Sequence, residues 1–113
     1  MIQYHRGSQS AVQTDVIHTV GPIARGVESD KWQETEQYLK ACYTNSLERV
    51  LEKNLRTVAF PCISTGIYGF PNKPASDIAL NTVIQWVKDN YDQWNFFQLE
   101  LVLYLYLMET SRS

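Results

Sequence analysis

The chain has 113 residues, with ten basic and twelve acidic side chains and a formal net charge of -2. This length accommodates one small domain and argues against two. Charged residues make up 19% and hydrophobic residues 44% of the chain, which excludes a charge-rich disordered protein and a basic surface that wraps nucleic acid. A small anionic ligand remains compatible with this composition, because backbone dipoles bind anions without net positive charge.

The two cysteines, Cys42 and Cys62, are too few for a disulfide framework. We interpret them as buried thiols in a reducing compartment, with a reactive thiol as the alternative. Because His5 and His18 lie far from both cysteines in sequence, no metal site is predicted.

The amino terminus has no apolar run, and the longest apolar stretch, 101–108, is too short to span a bilayer. The sequence therefore predicts an intracellular protein, cytoplasmic or nuclear, without membrane contact.

The amino-terminal part predicts a tail followed by a strand. Residues 1–13 are polar and show no periodicity, so they are interpreted as a tail or loop. Residues 16–20 form a short β-branched run, VIHTV, which Gly21 and Pro22 terminate. This run is typical of a first strand.

A long helical pattern follows a loop at residues 23–29. Asp30 and Gln33 form a plausible capping pair, and the helix is predicted over 31–53, ending near Asn54. Its buried face is predicted from residues at steps of three and four, namely Leu39, Cys42, Tyr43, Ser46, Leu47, Val50 and Leu51.

The second half predicts a strand, a loop, a helix and a last strand. Residues 57–63 form a continuous apolar run, which suits a strand buried on both faces, with pairing broken near Pro61. After the loop, Pro74 suits the first turn of a helix, and the final apolar run, 99–107, predicts a strand. The helical face is predicted to comprise Ala75, Ile78, Ala79, Thr82, Val83, Trp86, Val87 and Asn90.

The predicted order is strand, helix, strand, loop, helix, strand. Strands that alternate with helices favour an α/β fold with parallel pairing and right-handed connections. Three strands make an incomplete sheet with an unpaired edge. We expect further strands or a partner protein to cover this edge.

The loop 64–70 lies where an open α/β sheet binds ligands, beyond the end of a strand and before a helix. Gly66 and Gly69 allow the backbone to approach a ligand closely. Successive amides in such a loop converge on a phosphate, and the following helix adds favourable partial charge. Tyr68 and Phe70 are candidates to pack against a sugar or a base. The alternative is an ordinary strand-to-helix connection whose glycines make turns.

Two stretches of this sequence carry a resemblance to a known family. Residues 16–26 read VIHTVGPIARG, and residues 58–71 read VAFPCISTGIYGFP. Both stretches resemble macrodomains of the MacroD type. Between and after them, the positions Cys42-Tyr43 with Ser46-Leu47, and residues 79–86, resemble the flanking helices of that family. The resemblance predicts a single partial macrodomain, with an unmatched tail at 1–13, a macrodomain-like part at 16–92 and a divergent last strand at 93–113.

This resemblance implies a three-layer α/β/α fold that binds ADP-ribose without a cofactor. Many members hydrolyse mono-ADP-ribose from proteins or deacetylate O-acetyl-ADP-ribose, by attack of a water near the distal ribose. The implied partners are ADP-ribose or a mono-ADP-ribosylated protein, with no direct nucleic-acid contact. In the family the second ligand loop holds the diphosphate through backbone amides, and an aromatic packs near the distal ribose. Carried over by position, Tyr68 is that aromatic and the loop comprises Ser64, Thr65, Gly66, Ile67, Tyr68, Gly69 and Phe70.

Other motifs of that family are missing from this sequence. It contains no Asn-Ala-Ala-Asn, no run of glycines and no Gly-Val-Asp-Gly, so the first ligand loop with its acidic residue, and the adenine-contacting aspartate, have no counterpart. We therefore expect an incomplete, mostly parallel sheet lacking the first strands, unknown catalytic residues and impaired hydrolysis. The alternatives are a non-catalytic ADP-ribose-binding module and a non-functional fragment. The start at Met1 is expected to reflect a truncated product, an alternative transcript or an imperfect gene model.

The remaining chemically interesting side chains have structural interpretations. His18 is expected to be a strand histidine bonded to neighbouring backbone, and Cys62 a structural thiol, because neither has an obvious catalytic partner in sequence. Tyr43 and Trp86 lie on helical stripes and are predicted to be core residues. Asp77 is expected to complement the positive end of the second helix.

Overall fold

The computed structural model describes residues 2–5, 15–55, 57–94 and 100–103. Two longer helices and four short strands make up this part of the chain, and none of its helices is long and apolar enough to cross a membrane. The elements in chain order are β1 (Ile2–His5), β2 (Val16–Thr19), a 3-10 turn (Ser29–Lys31), α1 (Trp32–Glu52), β3 (Thr57–Phe60), α2 (Asn72–Asp89), α3 (Tyr91–Trp94) and β4 (Glu100–Leu103).

The first strand corrects the prediction of a tail at residues 1–13. β1 pairs antiparallel with β2, with Ile2 opposite Thr19 and His5 opposite Val16. The four residues of β1 alternate between apolar and polar types, but four residues are too few to produce a periodicity signal. Pairing with β2 is a non-local contact, and it defines the strand. The rest of that predicted tail, residues 1 and 6–13, lies outside the described residues.

Helix α1 follows the predicted pattern closely, except at its amino end. Its buried residues are Leu39, Cys42, Tyr43, Ser46, Leu47 and Val50, as predicted, while Leu51 is partly buried against the same core. The predicted capping pair is wrong, because a 3-10 turn precedes the helix and its N-cap, Lys31, makes no side-chain cap bond.

The carboxyl end of α1 is closed by a Schellman motif. Asn54 adopts a left-handed conformation, with φ 56°, and its amide donates to the Leu51 carbonyl at 3.1 Å. The Leu55 amide donates to the Val50 carbonyl at 3.0 Å. These two bonds satisfy carbonyls that the end of the helix leaves free, and they confirm the predicted stop near Asn54.

The core lies between α1 and α2. From α2 it takes Ala75, Ala79, Thr82, Val83 and Trp86, and Ile78 and Val87 pack against its edge. The Trp86 indole N–H donates to the Glu48 carboxylate of α1 at 2.8 Å. Tyr43 and Trp86 are therefore core residues, as predicted.

The second sheet pair is β3 with β4. The two strands are parallel, with Thr57 opposite Glu100 and Phe60 opposite Leu103, which confirms the parallel pairing expected for a strand–helix–strand unit. In the described chain β2 pairs with β1 instead, so one pair is parallel and one is antiparallel. The predicted continuation of β4 beyond residue 103 lies outside the described residues.

Strand β3 is shorter than the predicted 57–63, because pairing ends at Phe60, one residue before Pro61. A proline cannot donate to the ladder, so the strand stops there. The prediction of burial on both faces is also wrong. Phe60 is buried against the Tyr43 ring, with ring centroids 5.1 Å apart, whereas Ala59, on the opposite face, is exposed.

Candidate functional site

The segment between β3 and α2 folds into a compact loop held by its own backbone. The Phe70 amide donates to the Ser64 carbonyl at 2.8 Å, and the Gly69 amide donates to the Gly66 carbonyl at 3.0 Å. Ser64 and Gly69 have positive φ angles, 67° and 76°. Between these two residues, Gly66 and Ile67 are exposed and Tyr68 is partly exposed.

The middle of the loop carries amide donors without an acceptor in the described part of the chain. Within the described residues, the backbone N–H groups of Gly66, Ile67 and Tyr68 have no hydrogen-bond acceptor. Gly66 is exposed, and a Cβ built on it meets no atom within 4 Å. The Ile67 side chain is 85% exposed. Three successive donors beside open space form an arrangement suited to binding an anion.

The amino end of α2 adds to the positive potential of this loop. Helix α2 begins at Asn72, directly after the loop, with no side-chain cap bond and no acidic residue in its first turn. Its macrodipole therefore favours a nearby anion. The expectation for Asp77 is wrong, because this residue lies beyond the first turn and instead forms an exposed ion pair with Lys73, at 3.2 Å.

A second segment, residues 21–25, is bonded to the middle of the loop. The amides of Ala24 and Arg25 both donate to the Tyr68 carbonyl at 2.8 Å. Gly21 packs so closely on the loop that a Cβ at this position lies 2.1 Å from Ser64 Oγ and 2.5 Å from Ile63 Cγ2. We refer to residues 21–25 as the supporting segment. The sequence pattern predicts Gly21 only as a strand terminator, although a glycine at a strand end also signals close backbone approach.

Ser64 combines two unfavourable features. It is one of two non-glycine residues with positive φ in the described chain, and its Oγ is buried without a hydrogen-bond partner there. A left-handed conformation and an orphaned buried hydroxyl each cost free energy, so the rest of the structure must hold them in place. Such features are concentrated at functional sites in folded proteins.

The aromatic residues of the loop differ in accessibility. The Phe70 side chain is 1% exposed and packs on Trp32, with ring centroids 5.0 Å apart and an interplanar angle of 40°. The expectation that its ring packs against a sugar or base is therefore wrong, since the ring completes the core. Tyr68 is partly exposed and is the loop aromatic that a ligand can reach. Thr65 is buried, and its hydroxyl donates to the Cys62 carbonyl at 3.5 Å.

Both thiols lie near the site, and Cys42 does not have the surroundings of a nucleophile. The Cys42 thiol donates to the Val20 carbonyl at 3.4 Å, and burial raises the pKa of this thiol, which favours the neutral form. Cys62 is partly buried and free of a disulfide. No group of three His, Cys, Asp or Glu side chains in the described residues is placed to hold a metal ion.

His18 lies on β2, opposite Gln3 in the register, and its side chain is exposed. Its position on a strand confirms the prediction. The expected bond from its ring to neighbouring backbone is not found among the described residues.

Comparison with known proteins relates this arrangement to one family. A family model described as "Macro domain" matches residues 2–79. Human ADP-ribose glycohydrolase MACROD2 is 58% identical over 78 residues, which are 69% of this chain and 18% of that protein. Rat ADP-ribose glycohydrolase MACROD1 is 49% identical over 78 residues, which are 69% of this chain and 29% of that protein. The chain thus spans less than a third of the length of these relatives.

Solved structures show the same relationship. A Trypanosoma brucei macrodomain in complex with ADP-ribose superposes with a TM-score of 0.69 at 26% identity, over 99% of this chain and 45% of that one. An Oceanobacillus iheyensis macrodomain with ADP superposes with a TM-score of 0.58 at 35% identity, over 87% of this chain and 50% of that one. The chain is therefore similar to about half of a solved macrodomain.

Proposed function

The chain belongs to the macrodomain family, and from this premise we propose that it binds ADP-ribose through the loop between β3 and α2. The diphosphate is held by the amides of Gly66, Ile67 and Tyr68, and the Tyr68 ring packs near the distal ribose. Ser64, Thr65, Gly69 and Phe70 shape the loop around these contacts.

One observation carries this proposal, namely the run of three successive amide donors without acceptors in the described residues. A diphosphate supplies several anionic oxygens, each of which accepts more than one hydrogen bond. The amino end of α2, which follows the loop directly, adds partial positive charge there. Because the donors are backbone groups, the net charge of -2 is no obstacle to binding an anion.

We further propose that this chain binds ADP-ribose without efficient hydrolysis. Hydrolysis needs a group that activates a water at the distal ribose, and an acidic residue in an asparagine- and glycine-rich loop is expected to do so in the family. The sequence contains no such loop, so the group that would activate this water has no counterpart in it.

Titration calorimetry of the 113-residue chain with ADP-ribose, ADP, AMP and adenosine tests the binding proposal. We expect ADP-ribose and ADP to bind and AMP to bind at least about tenfold more weakly, because one phosphate cannot engage all three amides. Adenosine is expected to show no binding. Equal affinities for ADP-ribose and adenosine would contradict a diphosphate site.

The same preparation tests turnover. Incubation with a mono-ADP-ribosylated protein is expected to release ADP-ribose no faster than buffer alone. Release well above the buffer rate would overturn the proposal of binding without hydrolysis, while leaving the binding site itself supported.

A further inference from the structure

In addition to the packing of Gly21 on Ser64, three contacts with other described residues hold the loop 64–70 or the residue before it. The supporting segment holds its middle, through the two bonds to the Tyr68 carbonyl. The Phe70 ring holds its far end, through contact with Trp32. The near end is held from α1, where the Tyr43 hydroxyl accepts a hydrogen bond from the Ile63 amide at 3.4 Å.

The Tyr43 contact differs from the other two in resting on a single side-chain atom. Tyr43 is 1% exposed and Ile63 is 8% exposed, so water does not replace this bond when it is lost. Burial raises the pKa of Tyr43 to about 12, which keeps the hydroxyl neutral at physiological pH. The Tyr43 ring also packs on Phe60, the last residue of β3, so one side chain fixes both the end of the strand and the entry to the loop.

Ile63 directly precedes Ser64, whose positive φ and orphaned hydroxyl make the loop conformation costly. A costly conformation persists only while its surroundings determine it. Without the Tyr43 hydroxyl, the buried Ile63 amide loses its acceptor, and conformations in which this amide turns to solvent become more favourable. Because ligand affinity falls in proportion to the binding-competent fraction, loosening this end of the loop weakens binding at amides that Tyr43 does not touch.

We propose that Tyr43 is a positioning residue for ADP-ribose, whose hydroxyl holds the Ile63 amide and thereby sets the conformation of the loop that carries the diphosphate-binding amides. This inference rests on the proposed function of that loop. Tyr43 acts from behind the loop, through Ile63, and makes no contact with the ligand.

The test is Tyr43→Phe, which removes one oxygen atom and leaves the buried ring in place. We expect the dissociation constant for ADP-ribose, measured by titration calorimetry, to rise about five- to tenfold, in line with one buried hydrogen bond. The matched control is Ser46→Ala, because Ser46 also lies buried on α1 and its hydroxyl donates to the Cys42 carbonyl of the same helix, at 2.8 Å, rather than to the loop. Ser46→Ala is expected to leave the dissociation constant within twofold of the unmodified chain.

Comparison of affinity with melting temperature separates positioning from general stability. If the two variants lower the melting temperature similarly and only Tyr43→Phe weakens binding, the inference holds. Unchanged affinity in Tyr43→Phe would overturn it, with the proposed function intact, whereas an unmodified chain that fails to bind ADP-ribose would contradict the proposed function itself.

Amide hydrogen exchange tests the same role in the unmodified chain, so its result does not depend on whether a variant folds. The Ile63 amide is expected to exchange slowly and to slow further when ADP-ribose is added. Exchange as fast as that of an exposed amide, with no change on adding ligand, would also overturn the role of Tyr43.

Discussion

Replacement of Gly66 by glutamate is expected to weaken ADP-ribose binding by at least about a hundredfold without unfolding the chain. Gly66 is exposed and does not have a positive φ, and a Cβ there meets no protein atom within 4 Å. The new side chain therefore occupies space that the ligand needs rather than space that the protein fills. A carboxylate about 5 Å from a phosphate adds about 3 kcal/mol of repulsion at an effective dielectric constant of about 20, which is more than a hundredfold in affinity.

Two further variants identify the cause of that loss. Gly66→Ala adds a methyl group without charge and is expected to weaken binding by about three- to tenfold. Asn81→Glu adds the same charge at an exposed site in the middle of α2, and it is expected to leave affinity within twofold. Calorimetry and thermal melting of all three variants check these outcomes. Binding by Gly66→Glu as tight as in the unmodified chain would show that the ligand lies elsewhere.

Replacement of Gly21 by alanine is expected to lower both stability and affinity. The added methyl group lies 2.1 Å from Ser64 Oγ and 2.5 Å from Ile63 Cγ2, so the supporting segment and the loop must move apart. Overpacking of this kind costs about 1–3 kcal/mol in the free energy of unfolding. Because the displaced residues begin the loop, we also expect affinity for ADP-ribose to fall about tenfold or more.

Gly26→Ala serves as the control for Gly21→Ala. Gly26 has φ 75°, but a Cβ there meets nothing within 4 Å. Its replacement costs backbone strain of about 1–2 kcal/mol and is expected to leave the loop and the affinity unchanged.

In the double variant Gly21→Ala with Ser64→Ala, loss of the serine oxygen removes the shortest clash. We therefore expect this variant to recover part of the melting temperature that Gly21→Ala loses. A Gly21→Ala chain with normal affinity would show that the loop does not depend on this packing.

The helices were predictable because their residues carry the information locally. The stripe from Leu39 to Val50 repeats every three or four residues, and that period is the geometry of a helix face packed on a core. The stop near Asn54 was equally local, since asparagine tolerates the left-handed conformation that ends a helix. The same holds for α2, whose buried face from Ala75 to Trp86 was predicted in full.

The strands and the contacts within the site were harder to predict, because they depend on residues far apart in sequence. β1 is defined by pairing with β2, from which residues 6–15 separate it in sequence. Asp30, the predicted helix cap, lies instead within a 3-10 turn. The loop 64–70 could be located from its two glycines and its position after a strand. Its attachment to Gly21, Ala24 and Tyr43 is a tertiary arrangement without a sequence signature, and so is the burial of the Phe70 ring.

The central claim is that backbone amides of the loop between β3 and α2 hold the diphosphate of ADP-ribose. Amide chemical shifts of the isotopically labelled chain, recorded by NMR during titration with ADP-ribose, test it most directly. We predict that the largest saturable shifts occur at the amides of Gly66, Ile67 and Tyr68, while Leu80 and Ile84, exposed on α2, change little. Saturable shifts elsewhere with these three amides unmoved, or no shift at millimolar ligand, would contradict the claim.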